Sequence, residues 1–432
     1  MLKKLAKITL LPTTPASIGR FDTFADRYPR GTSLRGVVRW WTRAAIAGWA
    51  YDQGKEINEA INRVSEIFGG VATGGGEPKP SRIKYQIKLI ETSKPQGISH
   101  FRLRLIFMRA HSAQRRVPEG KFYRNVKKFY EYLDQLCSES YLLKEKIGNM
   151  PEYQAVRNYI ENRRGHPSTV RDAVIRLTNT LYDTMISQYK MELTIYTAAI
   201  KMDYRDKIGV LGTLLAIELG GIGKISRRGL GCFDIDYWES QYIDKNLEDL
   251  KSLRDMMFKD RILYIIKNIR GLLGQESNQK IRRKLPAIPS ISLSKIDDLP
   301  IFSVWIKEQD NDINNVFRDI ESIFLRTRRN SLASFLRYMN PPSAWYLGLP
   351  REQRGKGYVG QIRRASPLWV KVSRQNNRNY IIISHMVSLD WPSAIRWIGA
   401  TKRVIRINEE LLIRVAKKVN DWLSEGEYRS IL

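Results

Sequence analysis

Cysteine and histidine are scarce in this chain of 432 residues. Its two cysteines, Cys137 and Cys232, exclude a disulfide framework and a cysteine-rich zinc site. The four histidines show no metal-binding spacing such as HExxH, so we predict no metal site and no cofactor. No apolar run approaches the roughly 18–20 residues of a membrane span, and residues 1–4 do not begin a signal-peptide pattern. We therefore expect an intracellular, cytoplasmic protein.

Acidic residues are the other shortage. The chain has 44 Asp and Glu against 73 Lys and Arg, which gives a net charge of +29. A folded protein with such a field is suited to a polyanionic partner, and nucleic acid is the commonest one. An anionic membrane surface is a weaker alternative, because no basic amphipathic anchor helix is evident. A basic, solvated surface without any partner is the remaining alternative.

The order of apolar patterns predicts an α+β protein with two similar halves. In the first half, a strand, a helix, two strands, a helix and a strand follow one another once a helical insertion at about 121–187 is set aside. This is the order of a ferredoxin-like βαββαβ unit. The second half repeats it less clearly, with a long helix at about 311–339 and a Gly/Arg-rich loop at 348–360. We therefore predict two ferredoxin-like domains, at 1–242 and 243–432.

A glycine-rich segment, GGIGKISRRGLG, lies between the last helix and the last strand of the first half. Glycines let backbone N–H groups approach a phosphate, and Lys and Arg add charge-assisted hydrogen bonds. The segment lacks the Walker pattern, and it follows a helix rather than a strand, so it is not a dinucleotide fingerprint. A helix stop followed by a basic turn is the alternative. The candidate RNA-binding residues here are Gly221, Gly223, Lys224, Arg227, Arg228 and Gly229.

The segment RGTSLRGVVRWWTR predicts the start of a helix that carries a cationic stripe. Arg35, Arg39 and Arg43 are spaced four residues apart and therefore share one helix face. Ser33 is a candidate N-cap, which would make the helix start a seat for phosphate. Trp40 could stack on a base, although packing in the core is the alternative for this ring.

A third basic segment, REQRGKGYVGQIRR, covers residues 351–364 of the second half. Basic residues mixed with glycine and one aromatic ring, that of Tyr358, suit a flexible single-stranded nucleic acid. A solvated loop without a ligand is the alternative. The candidate RNA-binding residues here are Arg354, Lys356, Arg363 and Arg364.

Candidates for catalysis are few. An unperturbed imidazole titrates near neutral pH and can act as a general base in RNA cleavage. Among the four histidines, His111 is the best candidate because Arg109, Arg115 and Arg116 are close in sequence. A surface or packing role for this histidine is the alternative, and no catalytic residue is assigned.

These motifs resemble the repeat-associated mysterious protein (RAMP) superfamily of CRISPR systems. Residues 221–231 are similar to the glycine-rich loop of that superfamily, which lies between the last helix and the last strand of a ferredoxin-like fold. The segment LRGVVRWWTRA resembles a signature of the first subunits of Cmr, type III-B, effector complexes, with Thr42 in place of the third Trp. The segment RRASPL resembles the motif in the second domain of the same subunits.

The resemblance implies a non-catalytic subunit that binds RNA. Such subunits cap the effector complex at the 3′ end of the guide RNA and help to capture target RNA. The implied partners are the guide RNA, the target RNA and the other RAMP subunits of the complex, for antiviral defence. The alternative is a metal-independent RAMP endoribonuclease that processes CRISPR repeat RNA with a histidine as its base.

Overall fold

The protein is described here from a computed structural model. The structure describes residues 2–16, 30–70, 79–93, 113–114, 117–139, 141–185, 188–223, 226–240, 256–274, 284–324, 330–349, 351–353, 356–359, 364–398 and 403–432. Helices and antiparallel sheets make up these parts of the chain, so the predicted α+β class is confirmed.

The first half forms a four-stranded sheet with the order β2–β3–β1–β4, in which all neighbours are antiparallel. A βαββαβ unit gives this order when both crossing helices lie on one face. Helices lie between β2 and β3, where the sequence predicted the helical insertion. The elements are β1 (Lys3–Pro12), α1 (Gly31–Gln53), α2 (Ile57–Phe68), β2 (Ile83–Ser93), α3 (Glu119–Glu139), α4 (Tyr141–Gly148), α5 (Pro151–Glu161), α6 (Pro167–Met185), β3 (Gln188–Thr197), α7 (Tyr204–Leu219), β4 (Phe233–Ser240) and α8 (Phe258–Leu273).

The second half forms another antiparallel sheet with the equivalent order, β10–β11–β7–β14. The predicted helix over 311–339 is wrong, because a second helix starts where the hydroxyl of Ser331 accepts a hydrogen bond from the N–H of Ser334. The elements are β5 (Lys295–Ile296), β6 (Leu299–Pro300), β7 (Phe302–Gln309), α9 (Ile313–Phe324), α10 (Leu332–Arg337), β8 (Arg351–Gln353), β9 (Lys356–Val359), β10 (Leu368–Gln375), β11 (Arg378–Met386), β12 (Ala394–Ile398), β13 (Arg403–Arg406), α11 (Glu409–Glu425) and β14 (Arg429–Ser430).

The segment predicted as a loop at 348–360 instead contains a β-hairpin, β8–β9. This hairpin joins β12 and β13 in a third sheet with the order β13–β12–β9–β8. The fully buried ring of Tyr358 packs edge-on against Trp397, with 4.8 Å between the ring centroids. Tyr358 therefore packs within this small sheet, whereas the sequence analysis predicted that its ring suits contact with single-stranded nucleic acid.

Helix α7 lies between the first two sheets and packs against β4 and β10. Its side chains from Ile208 to Leu219 are all buried, because residues of low polarity surround the helix axis on every side. Asp203 and Asp206 form a capping box at its start. Helix α8 also packs on α1 and α7, within the core of the first half. The division of the chain between 242 and 243 stays a prediction.

Candidate nucleic-acid interface

The glycine-rich segment joins the two halves through backbone hydrogen bonds. Strand β10 is an edge strand of the second sheet, so its outward N–H and C=O groups need partners. The N–H of Val370 donates to the carbonyl of Arg227 at 3.0 Å. The hydroxyl of Thr13 donates to the carbonyl of Val372 at 2.6 Å. The edge of the second sheet is therefore covered by residues of the first half.

Packing explains two of the predicted glycines. A Cβ at Gly221 would lie 2.7 Å from the carbonyl oxygen of Leu230, and Gly221 is buried. Gly229 has φ +77°, and a Cβ there would lie 2.7 Å from Cδ1 of Ile320. Both glycines thus allow close contact with the protein itself. Gly223 is exposed, which leaves its backbone accessible to a ligand.

The two arginines of the segment lie against aromatic rings. The guanidinium of Arg228 is 5.2 Å from the ring centroid of Phe324 in α9. The guanidinium of Arg227 is 4.3 Å from the ring centroid of Trp369 and 4.9 Å from that of Trp40. These cation–π contacts hold both guanidinium groups beside aromatic rings.

Trp40, Trp41 and Trp369 form a compact cluster across the junction. The ring centroids are 4.7 Å apart for Trp40 and Trp369, 5.0 Å for Trp40 and Trp41, and 5.2 Å for Trp41 and Trp369. Trp41 is fully buried, and Trp40 is half-buried. The ring of Trp40 is thus already in contact with aromatic neighbours, and its stacking on a base stays a prediction.

The arginine stripe lies on α1, as its spacing predicted. Arg39 is exposed, whereas Arg35 and Arg43 are half-buried. The predicted cap at Ser33 is wrong, because the helix starts earlier and Arg30 occupies the N-cap position without a capping side chain. Burial lowers the pKa of Arg43, and the nearby charge of Arg39 acts in the same direction.

Arg364 belongs to the second half and is held rigidly. Its guanidinium pairs with the carboxylate of Asp390 at 2.8 Å and donates to the hydroxyl of Ser388 at 3.3 Å. It also lies 4.8 Å from the ring centroid of Trp391 and donates to the carbonyl of Ala365. The side chain is only 7% exposed, so its charge acts on the site mainly through space.

Four arginines therefore lie on the segments that meet at the junction of the two halves. Burial, chiefly, and the charges of Arg364 and Arg43 lower the pKa of Arg227 to about 10, while Asp390 opposes them. The contacts of Arg227 agree with this, because its guanidinium lies 4.9 Å from the ring centroid of Trp40 on α1 and donates to the carbonyl of Ser366, two residues after Arg364, at 3.4 Å. The arginine cluster consists of Arg39, Arg43, Arg227 and Arg364, with Asp390 as the carboxylate that acts on it.

Four other predicted site residues belong to the glycine-rich segment and to the third basic segment. Lys224, Arg354 and Arg363 lie outside the described residues, and Lys356 lies in β9. Sequence reasoning missed Trp369, which reaches Arg227 because the second sheet docks on the first half, and Asp390, which pairs with Arg364 within the second half. The one local signal for Trp369 is its position directly after the RRASPL segment.

The described histidines offer no accessible general base beside the arginine cluster. His385 is fully buried, and its ring nitrogens lie 2.9 Å from the hydroxyl of Tyr346 and 2.8 Å from Oδ1 of Asn420. Burial lowers its pKa to about 4, so it is neutral at pH 7. His166 is exposed in the helical insertion and bonds to Ser168. His111, the best candidate from the sequence, lies outside the described residues.

Two further properties concern only the described parts of the chain. Three or more side chains that could share a metal ion are not found together among them. None of the helices in these parts combines the length and the apolar character that crossing a membrane requires.

Known proteins similar to this chain agree with the motifs. The RAMP superfamily model matches residues 13–234, slightly more than half of the chain. The CRISPR system Cmr subunit Cmr1-1 of Pyrococcus furiosus is 22% identical over 372 residues, which cover 83% of this chain and 81% of the relative. The resemblances to the superfamily and to Cmr first subunits are thereby confirmed.

Solved structures show the same fold. A chain of the cryo-EM structure of Type III-B Cmr-beta bound to cognate target RNA aligns with a TM-score of 0.50 and 14% identity. A chain of the structure bound to cognate target RNA and AMPPnP, in the presence of ssDNA, aligns with a TM-score of 0.52 and 15% identity. Each alignment covers 98% of this chain and 100% of the other.

Proposed function

The chain belongs to the RAMP superfamily, and from this premise we propose that it is a non-catalytic RNA-binding subunit of a type III-B CRISPR (Cmr) effector ribonucleoprotein. Its partners are CRISPR guide RNA, target RNA and the other RAMP subunits of the complex. It caps the complex at the 3′ end of the guide RNA and helps to capture target RNA in the cytoplasm, for antiviral defence.

The arginine cluster is the observation that carries this proposal. Arg39 and Arg43 lie on α1 on either side of Trp40, whose ring contacts Arg227. Arg227 also donates to the carbonyl of Ser366, two residues after Arg364, and Asp390 pairs with Arg364. Like charges repel one another, so this arrangement is relieved when an anion binds between them. A phosphodiester supplies that anion, and planar guanidinium groups match its oxygens.

The position of the cluster suits a backbone contact rather than a base contact. Two of its arginines come from α1, one from the glycine-rich segment and one from the start of the second half's sheet. Arg227 and Arg364 are oriented by aromatic rings, which limits the freedom lost when a phosphate binds. We infer that the cluster holds one or two consecutive phosphates and reads no sequence.

The proposal is tested by the variant Arg39→Gln/Arg43→Gln in the full chain. Both side chains are at least partly exposed and neither is ion-paired to a described carboxylate, so the fold should tolerate the change. The affinity for single-stranded RNA should fall, and the slope of log K against log salt should flatten by about 1.4 for two lost phosphate contacts. Fluorescence anisotropy over a salt series measures both quantities.

A matched control removes two exposed cations elsewhere, in Arg414→Gln/Lys417→Gln on α11. This control changes the net charge equally and should leave the salt slope near that of the wild type. Equal slopes for both variants would contradict the proposed site. Metal-free cutting of CRISPR repeat RNA that disappears in His111→Ala would instead favour the endoribonuclease.

A further inference from the structure

The helical insertion carries a second cationic surface, away from the arginine cluster in sequence. In the first three turns of α3, Lys121, Arg124, Lys127 and Lys128 are all exposed. At 3.6 residues per turn these four side chains fall within about a third of the helix circumference. The opposite side of α3 carries the buried residues that hold the helix in place, among them Phe122, Val126 and Phe129.

The connection between α5 and α6 lies beside this stripe. The guanidinium of Arg163 is 3.5 Å from the ring centroid of Tyr123 in α3. The hydroxyl of Tyr123 in turn donates to the carbonyl of Ile160 at 3.1 Å, near the end of α5. Two segments that are distant in sequence are thus joined on one surface.

The two segments contain no acidic residue. Residues 120–130 and 162–171 hold only basic side chains among their charged residues. The nearest carboxylates in sequence are Glu119, Glu131, Glu161 and Asp172, and Glu161 is already bonded to Arg157 at 3.0 Å. The cationic patch consists of Lys121, Arg124, Lys127, Lys128, Arg163 and Arg164, which are all exposed. None of them forms an ion pair with a carboxylate in the described parts of the chain.

The chemistry of the cationic patch favours a nucleic-acid backbone over a protein. Protein interfaces are organised around buried aromatic or aliphatic anchors, with charges at the rim. Large exposed hydrophobic side chains are missing from both segments of the cationic patch, in which every residue is described. Long, solvated Lys and Arg side chains without such an anchor suit phosphates spaced along a flexible strand.

We propose that the helical insertion is a second RNA-backbone contact, in which the cationic patch holds phosphates of a strand also bound at the arginine cluster. This inference rests on the proposed function, because it assumes that the chain binds RNA. It assigns a role to the insertion, which lies outside the two ferredoxin-like sheets. The contact is sequence-independent, since the cationic patch offers charge and no pocket for a base.

The test uses the full chain with Lys121→Gln/Arg124→Gln/Lys127→Gln/Lys128→Gln. Binding of a single-stranded RNA of about 40 nucleotides, longer than one OB-fold-sized site, is measured by anisotropy over a salt series. The affinity at low salt should fall at least about tenfold, and the salt slope should flatten by about 3 for four lost contacts. The matched control is Lys259→Gln/Lys267→Gln/Arg414→Gln/Lys417→Gln, four exposed cations on α8 and α11.

The outcomes separate this inference from the proposed function. If the patch variant behaves like its control while Arg39→Gln/Arg43→Gln loses affinity, the inference is overturned and the proposed function stands. If the wild type binds no RNA, both are overturned. If RNA binding is unchanged but the patch variant no longer assembles with other RAMP subunits, the cationic patch is a protein surface and the inference is wrong.

Acetylation of lysines in the wild type gives a second readout that needs no variant. Lys121, Lys127 and Lys128 are exposed and should acetylate readily in the free chain. Bound RNA should protect them, while Lys267 and Lys417 stay reactive. Equal labelling of all five lysines with and without RNA would overturn the inference.

Discussion

The two principal sheets share one topology but differ in what covers them. In the first sheet, helices lie on one face, and the other face carries polar residues that are half-buried or exposed, such as Lys7, Lys84 and Lys88. In the second sheet, the equivalent face is packed against α7. Trp369 and Lys371 of β10 lie on that covered face and are buried.

This difference explains how the arginine cluster forms. The face that stays open in the first sheet corresponds to the face of the second sheet that packs against α7. Through this face the second half docks on the first half. The docking places Trp369 and Arg364 of the second half beside Arg227 and Arg43 of the first. The proposed RNA site therefore depends on the covered face of the second sheet, which variants at Lys371 and Gly231 test, while a variant at His385 tests the opposite face.

The largest effect is expected at Lys371, the fully buried lysine of the covered face. Its Nζ lies 3.2 Å from Asp234 and 3.7 Å from Glu218, both in the first half. Lys371→Met leaves the buried carboxylate of Glu218 and the partly buried carboxylate of Asp234 with less compensation, so the free energy of unfolding should fall by about 3 kcal/mol. Urea denaturation measures this change.

The matched control is Lys88→Met on the open face of the first sheet, where the side chain is exposed. The control should change the free energy of unfolding by less than about 0.5 kcal/mol. Similar losses in both variants would show that the covered and open faces do not differ as described.

The next effect concerns His385 of β11, which lies on the face of the second sheet opposite to the one that packs against α7. Its folded pKa of about 4 lies below the ordinary value of 6.5, so the unfolded chain binds the additional proton between these values. Stability from this group is complete above pH 6.5 and is lost as the pH falls through 4. The loss amounts to about 3 kcal/mol. In His385→Gln the free energy of unfolding should fall less between pH 7 and 4, and parallel curves for the two proteins would refute this assignment.

A smaller effect is expected at Gly231, beside the junction of the two halves. Its φ is +65°, and a Cβ would lie 1.9 Å from the carbonyl oxygen of Ile222. Gly231→Ala should lower the free energy of unfolding by about 2 kcal/mol. It should also weaken RNA binding, because Arg227 lies in the same glycine-rich segment and would be displaced. Thermal unfolding and anisotropy measure the two effects. Gly271→Ala in α8, with no atom within 4 Å of the new Cβ, should instead be neutral or stabilising.

The sequence predicted the parts of this arrangement that depend on local pattern. The apolar residues of α7, the spacing of Arg35, Arg39 and Arg43, and the helical character of the insertion all follow from neighbours along the chain. These features placed the glycine-rich segment correctly between a helix and a strand.

Features that depend on distant partners were not predictable in this way. Strand β9 is short, and its residue Tyr358 pairs with Trp397, which is far along the chain. The segment therefore has loop-like composition although it forms a hairpin. Trp369 reaches Arg227 only through the docking of the second sheet, whereas Asp390 reaches Arg364 through the fold of the second half, and the sequence carries no periodic signal for either contact.

The most direct test of the central claim is a crystal structure of the full chain with a short single-stranded RNA. The account predicts a phosphate between Arg39, Arg43 and Arg227, with its oxygens within ion-pair distance of at least two guanidinium groups. RNA bound elsewhere, with the arginine cluster empty, would contradict it.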